Sequence, residues 1–297
     1  MSEKAQGSRT GEFPHLPLHI ILLIYVAVTL YPLLWVFTIA FSGQQSLAIA
    51  SIPANPTLLD RLRAITPWPA HLTVSNFVAV FTEQPFARWL LNSAIIAVAT
   101  TILGVFLACT AAYAFSRFRF PGRRAGLMSF LVSQMFPGTL MMIPLYIIIV
   151  QFLGLGSNFI GLILVYSITS IPFCVWMLKG YFDTIPKELE ESALMDGAST
   201  ATIFFRIVLP LAKPAVAVTA LFSFMTAWNE FIQAATFMDR ANMYTAPVGL
   251  RFFVGGFSQQ WGYFAAGAIV TAIPVVLLFL FLQKYLVSGL TAGAVKG

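Results

Sequence analysis

The sequence has little charge: Asp, Glu, Lys and Arg make up 9% of its 297 residues, against roughly 25% in a soluble protein. With 59% hydrophobic residues and 28 phenylalanines, the chain lacks the polar surface to cover a water-exposed fold of this size. A soluble globule is therefore excluded, and the solvent for most of the chain is lipid. Cysteine is nearly absent. Cys109 and Cys174 each lie inside an apolar run, so neither a disulfide framework nor a cysteine metal site is available. Only three histidines occur, His15, His19 and His71. His15 and His19 have the four-residue spacing of a zinc-binding helix face, but Leu16 stands where that motif needs Glu and Pro17 disrupts the turn. No metal site and no cofactor are expected. The chain also lacks a Gly-x-x-x-x-Gly-Lys-Ser/Thr loop, so it cannot cradle the phosphates of ATP by that route. Any ATP work belongs to a partner.

What is present is apolar length. No Asp, Glu, Lys or Arg occurs in 13–59, 89–116, 125–178, 214–229 or 252–283, and a spanning helix needs about 20 predominantly apolar residues. The gap at 125–178 is long enough for two spans, with Gly154, Gly156, Ser157 and Asn158 supplying a turn between them. The pattern predicts an all-α integral membrane protein with six transmembrane helices near 18–41, 89–113, 125–152, 159–178, 214–237 and 261–283. Helices are favoured over a lipid-facing barrel because the runs are continuously apolar rather than alternating. Pro32, Pro137, Pro144, Pro172 and Pro274 fall inside these spans and are expected to bend them.

The 17 basic against 11 acidic residues record topology here rather than a nucleic-acid partner. Arg117, Arg119, Arg123 and Arg124 crowd the connection after the second span, whereas the one after the third has none. The crowded side is expected to be cytoplasmic, with both termini inside. Lys4, Arg9, Lys179, Lys187, Arg206, Lys213, Lys284 and Lys296 then join the four arginines inside, leaving Arg61, Arg63, Arg88, Arg240 and Arg251 outside. A cleavable signal peptide is the alternative for the first span, and Ala48-Ile49-Ala50 has the small-x-small look of a cleavage site. The apolar run before it is too long for a signal h-region.

Two hydrophilic segments stand out. Residues 42–88 form a long outer connection with Pro53, Pro56, Pro67, Pro69 and Pro85, then a short amphipathic piece around Phe77, Val80 and Phe81. Residues 181–213 form a charged connection on the cytoplasmic side. Pro186 suits a first helical position, and Glu188, Glu190 and Glu191 load the opening turns beside the positive end of the helix dipole. Gly197 can take the left-handed conformation that stops this helix, Ser199 or Thr200 can cap the next, and Pro210 is expected to end it. Such an acidic, bent and partly apolar elbow suits a groove on another protein; an amphipathic hairpin on the membrane surface is the alternative. One more carboxylate interrupts an apolar run, in Trp228-Asn229-Glu230-Phe231. For Asn229 and Glu230 a pathway role and a hydrogen-bonded structural role are both open.

The order Glu191-Ser192-Ala193, Gly197, Ile207-Val208-Leu209-Pro210 resembles the EAA loop in permease subunits of binding-protein-dependent ABC importers, with Ser192 in place of the first alanine. The stretch from Ala111 through Tyr113, Arg117 and Pro121 to Gly122, the Trp228–Phe231 sequence and the tail from Gly289 to Gly297 all resemble the smaller, MalG-like permease of maltose-type sugar importers. The resemblance covers nearly the whole chain. It implies the six-helix type I ABC importer permease fold in the bacterial cytoplasmic membrane. It also implies a second homologous permease, two copies of an ABC ATPase and an extracytoplasmic sugar-binding protein as partners.

By the same resemblance, Glu190, Glu191, Ser192, Ala193, Asp196, Gly197, Ile207, Leu209 and Pro210 are expected to form an ATPase-docking elbow. The tail, through Gly293, Val295, Lys296 and Gly297, would reach between the ATPase subunits. An outer loop near 240–260 would enter the binding protein's sugar cleft, with Tyr244, Phe252, Phe253 and Phe257 as aromatic surface and Gly249, Gly255 and Gly256 allowing it to bend. The chain divides accordingly into 1–85 (N-terminus, first span and outer loop), a permease core at 86–285 and a cytoplasmic tail at 286–297. It is a non-catalytic transport subunit on this reading. An ion-coupled secondary transporter is the competing class, and would be expected to show midplane charges and repeated broken segments. A channel or scaffold explains the helices but not the acidic elbow.

Overall fold

The computed structural model describes residues 16–47, 55–68, 71–256 and 259–294, with side chains as far as Tyr285. Lys4, Arg9, His15, Ala48-Ile49-Ala50, Pro53, Pro69, Phe257, Val295, Lys296 and Gly297 lie outside the described residues. Among those described every element is helical. In chain order they are α1 (Leu16–Phe41), α2 (Leu58–Ile65), α3 (Ser75–Thr82), α4 (Phe86–Arg117), α5 (Arg123–Met135) and α6 (Gly138–Tyr146), extended by a π-helical turn, Ile147–Phe152. Then follow α7 (Phe159–Phe182), α8 (Glu188–Met195), α9 (Thr200–Ile203), a second π turn (Phe204–Val208) and α10 (Leu209–Leu211). The chain closes with α11 (Lys213–Asn229), α12 (Ile232–Phe237), α13 (Ala246–Arg251) and α14 (Trp261–Ala294).

Among the described residues α1, α4, α7 and the Trp261–Tyr285 part of α14 are each long and apolar enough to cross a membrane. The number rises to six if each of two bent helix pairs counts as one span. The third expected span is one of these pairs: Arg123–Met135 and Gly138–Phe152 meet at 104°. The cause is local, since Pro137 denies Phe136 the helical conformation and holds it extended at φ −79°, ψ 129°. The fifth expected span is interrupted too. Its helix stops at Asn229 and resumes at Ile232, with Glu230 extended between them at ψ 125°. Pro32, Pro144, Pro172 and Pro274 are all accommodated inside helices. The turn expected at 154–158 is present: Gly154 and Ser157 have positive φ, and the Asn158 side chain caps α7 by accepting from the Ile160 N–H at 2.8 Å.

α4 is the central post, packed against α7 and α11, while α1 lies along α14. Thr100, Gly104, Ala108 and Ala112 recur at every fourth position of α4, and all are buried. Small residues at that spacing let neighbouring helices approach closely where lipid supplies no hydrophobic drive between them. One core cluster forms at each end of α4 and one in its middle. α1 is exposed along most of its length, as a lipid-facing helix must be. The short helix α3 holds the end of α1: buried Asn76 donates to the Ile39 and Ala40 carbonyls at 3.3 and 3.0 Å.

Gly249, expected as a bending point, is instead a packing residue within α13. A Cβ placed there would lie 2.0 Å from Cε3 of Trp89, so only glycine lets α13 lie against the start of α4. Gly249→Ala is expected to cost about 1–3 kcal/mol through overpacking, seen as a lower melting temperature of the purified protein in detergent. Adding Trp89→Leu should recover part of that loss, and an unchanged melting temperature in Gly249→Ala would contradict the packing assignment.

Candidate functional site

The segment 181–213 forms a bent elbow at the end of α4 that carries Arg117. Its first arm, α8, begins at Glu188, two residues after Pro186, so the proline precedes the helix rather than opening it. The Glu190 and Glu191 N–H groups both donate to the Lys187 carbonyl at 2.9 Å. α8 ends in the expected left-handed glycine: Gly197 has φ +79°, and the Ala198 N–H reaches back to the Ala193 carbonyl at 2.9 Å. Ser199 caps the second arm by accepting from the Thr202 N–H at 3.2 Å. That arm does not stop at Pro210. It runs through the π turn to Leu211 and turns at Ala212 by 80° into α11, because a proline tolerated early in the three-residue α10 leaves Lys213-Pro214 to open the next helix.

The inner face of the second arm is apolar. Ile203, Phe204, Val208 and Ala212 are buried against Ala108, Cys109, Ala112 and Tyr113 of α4 and Cys174, Val175, Leu178 and Phe182 of α7. The rings of Phe204 and Tyr113 lie 4.9 Å apart. Along the first arm, by contrast, Glu191, Ser192, Asp196 and Gly197 are exposed, Ala193 is half-buried, and Leu194 and Met195 are 53% and 89% exposed. The Ser192 hydroxyl donates to the Glu188 carbonyl at 2.8 Å, so it is satisfied within its own helix. Ile207 and Leu209 are half-buried and Pro210 is exposed.

Glu190 differs from its neighbours, being 8% exposed. Its Oε1 lies 2.5 Å from Arg117 Nε, and its Oε2 accepts from the Tyr113 hydroxyl at 2.9 Å. Arg117 also donates to the Ile185 carbonyl at 3.0 Å and to Ser116 Oγ at 3.1 Å. Ser116 in turn donates to Asp183 at 2.6 Å, and Lys179 meets the other oxygen of Asp183 at 2.6 Å. Partial burial pushes the Asp183 carboxyl up, but the hydrogen bonds from Lys179 and Ser116 and the charges of Lys179 and Arg117 outweigh it and hold the group below its ordinary range. Its stabilising effect is complete above the ordinary carboxylate range and is lost as the pH falls through its lowered value.

At the opposite end of α4 the loop 239–253 is pinned to the first turns of that helix. Arg88 Nε and Asn92 Nδ2 donate to the Asn242 carbonyl, at 2.9 and 3.0 Å, and Asn92 also donates to the Tyr244 carbonyl at 2.9 Å. Trp89 Nε1 donates to the Ala241 carbonyl at 2.9 Å, and Ser93 Oγ accepts from the Ala246 N–H at 2.8 Å. Tyr244, Phe252 and Trp89 form a stack, with centroids 5.4 and 6.1 Å apart. Phe252 is 55% exposed, whereas Phe253, expected as surface, is 1% exposed. The turn after α13 directs Phe253 between Phe86 and Tyr263, at 6.4 and 5.9 Å. A cavity of about 450 Å³ opens beside Phe231, Tyr244, Arg251 and Phe252.

Residues 100–292 match the family of binding-protein-dependent transport system inner membrane components. The chain belongs to that family. It is 37% identical to the inner membrane ABC transporter permease protein YcjP of Escherichia coli over 93% of this chain and 94% of that one. It is also 37% identical to the maltose/maltodextrin transport system permease protein MalG of Vibrio vulnificus, over 94% and 95% of the two chains. A chain in the crystal structure of a bacterial ABC transporter involved in the import of the acidic polysaccharide alginate has the same fold, with a TM-score of 0.74, 22% identity and coverage of 95% and 99%. This chain is thus a MalG-like permease, a multi-pass membrane protein of a family of transport subunits.

In this permease Glu230 is engaged by hydrogen bonds at the break after α11. Its two oxygens accept from the Gln233 and Ala234 N–H groups, at 2.9 and 3.0 Å, and from the Tyr166 hydroxyl at 3.1 Å. It caps α12 where α11 breaks, while Asn229 is exposed at the last position of α11. Sequence reasoning took Tyr113, Ser116 and Arg117 as part of the stretch resembling MalG-like permeases, and the arginine also as a topology marker, but placed neither them nor Asp183 beneath the elbow. The anchors Arg88, Trp89, Asn92 and Ser93 were also overlooked, although polar residues opening an apolar helix could have signalled them. Gly293 falls on the last turn of α14, which continues without a break from the apolar span into the tail.

Two predictions follow from these geometries. Glu230→Ala leaves two backbone N–H groups without acceptors and is expected to cost about 1–3 kcal/mol, read as a lower melting temperature in detergent; no loss would refute the capping role. Nothing lies within 4 Å of a Cβ built at Gly197, so the constraint there is φ alone. Gly197→Ala should therefore cost about 1 kcal/mol and Gly197→Asn less, and equal melting temperatures for the two variants would show that the turn is not held left-handed.

Proposed function

We propose that this permease forms half of the translocation pathway of an ATP-driven sugar importer, carrying maltose, maltodextrin or a related oligosaccharide. The elbow is the ATPase-docking element on the cytoplasmic side, reached through Glu191, Ser192, Asp196 and Gly197 with Leu194 and Met195 beside them. The pinned loop with Tyr244 and Phe252 faces a sugar-binding protein outside. Six spans with both termini inside, a core at 86–285 and a tail at 286–297 complete the reading. A second permease and two ATPase subunits complete the transporter.

The observation that carries this reading is the elbow itself. Its exposed acidic and apolar tip stands on a base that is continuous with α4, α7 and α11, so a force applied at the tip reaches three helices of the membrane core. Coupling to hydrolysis needs such a stiff element with two arrangements. Sugar as the cargo rests on the likeness to MalG, a maltose/maltodextrin transport system permease. The ion-coupled alternative has less support, because Glu230 is engaged by the Gln233 and Ala234 N–H groups and by the Tyr166 hydroxyl.

The test is reconstitution in proteoliposomes with the partner permease, ATPase and sugar-loaded binding protein. ATP hydrolysis that rises with loaded binding protein, together with sugar uptake that requires ATP, is the expected outcome. Uptake by the isolated chain driven by an ion gradient would contradict the proposal.

A further inference from the structure

The two arms of the elbow are held by different forces. The second arm buries Ile203, Phe204 and Val208 in the core below it. The first arm, α8, has one buried side chain, and that residue is Glu190. Its apolar side chains give little support: Ala193 is half-buried, and Leu189, Leu194 and Met195 are 46%, 53% and 89% exposed. A cavity of about 190 Å³ lies beside the pair, lined by Tyr113, Phe118, Lys187, Leu194 and Ile203 among others. Packing alone therefore leaves α8 room to tilt. What fixes its angle is one guanidinium that bonds the Glu190 carboxylate, the Ile185 carbonyl in the α7–α8 connection and Ser116 on its own helix.

We infer that Arg117 and Glu190 are positioning residues that form a pivot between α8 and α4, and that this pair sets how much of the elbow's movement reaches the membrane helices. The inference rests on the proposed ATPase-docking function. Glu190 touches neither sugar nor ATPase on this account; it acts through Arg117. A desolvated pair suits this task because it is strong only in one geometry: with side-chain exposures of 7% and 10%, neither charge has water to fall back on when the arms separate. The same guanidinium is linked through Ser116 and Asp183 to Lys179 at the end of α7, so a tilt of α8 is felt by both α4 and α7. The exposed Glu191, three atoms of backbone away, has no such route.

The experiment uses the complete transporter in proteoliposomes and measures two quantities for each variant, the ATPase retained on purification and the ATP hydrolysed per sugar imported. Glu190→Gln is expected to retain the ATPase at the level of the unaltered complex, while ATP consumed per sugar rises about tenfold, within the range of ordinary coupling energies. Tyr113→Phe, which removes a single hydrogen bond from the same carboxylate and keeps the fold, should raise the ratio by a smaller factor of about two to three. An unchanged ratio in assembled Glu190→Gln and Tyr113→Phe would overturn the inference. So would loss of the ATPase from both with a normal ratio in what remains, since that would make Glu190 a direct docking contact. Failure of the unaltered complex to couple uptake to ATP would instead refute the proposed function, which keeps the two failures apart.

Discussion

In lipid a backbone N–H or carbonyl has no water to turn to, and every departure from helix must be satisfied by the protein. Three irregular places in this permease, one at the break after α11 and one at each end of α4, show side chains taking up such backbone groups. Where α11 stops, Glu230 accepts from the N–H groups of Gln233 and Ala234. Where the chain leaves α12 and crosses to α13, the carbonyls of Ala241, Asn242 and Tyr244 are taken up by Trp89, Arg88 and Asn92. Where α7 gives way to α8, the Ile185 carbonyl is taken up by Arg117. α4 supplies the partner in two of the three cases, one at each of its ends. It is the common reference for the elbow and the loop, and the small residues Thr100, Gly104, Ala108 and Ala112 between those ends seat α4 against α7 and α11.

This arrangement bears on how movement could pass through the molecule. The loop backbone is held by several side-chain hydrogen bonds and by a glycine that admits Trp89, so the loop belongs to the rigid body of α4 rather than swinging on Gly249. The first arm of the elbow lacks such packing, since Glu190 is its one buried side chain. A stiff post with an adjustable elbow at one end and a fixed loop at the other can change the attitude of the loop without deforming it. Gly255 and Gly256, beyond α13 and exposed, are the positions in that loop that retain freedom.

Much of this was legible in the residues. Charge-free runs located most helix ends to within about a turn, though α14 runs on to Ala294 and two expected spans are broken, and Gly154, Ser157 and Asn158 marked a turn that the structure keeps. The order of Glu, Gly197 and Ser199 gave the shape of the elbow. What could not be read was which way a side chain faces. Glu190 and Glu191 are adjacent and identical, yet one is buried and one exposed, because a helix turns by 100° per residue and only tertiary contacts decide which position meets Arg117. Phe252 and Phe253 separate for the same reason. The bend at Phe136-Pro137 was half legible: proline forecasts a kink, but a kink and a 104° break differ in what packs around them, and composition is silent on that. Pro210 misled, since a proline is harmless at the start of a helical segment and the true corner is set two residues later.

The claim on which the account turns is that the tip of the elbow meets the ATPase. Met195, 89% exposed at the end of α8, is the natural reporter, and the background is low because Cys109 and Cys174 are both buried. The most direct measurement is thiol cross-linking of a Met195→Cys permease in the assembled transporter. The account predicts a covalent product with the ATPase subunit, in an amount that changes when ATP is bound. Modification of Cys at that position by a membrane-impermeant thiol reagent applied from the outer face, with no product to the ATPase, would contradict it.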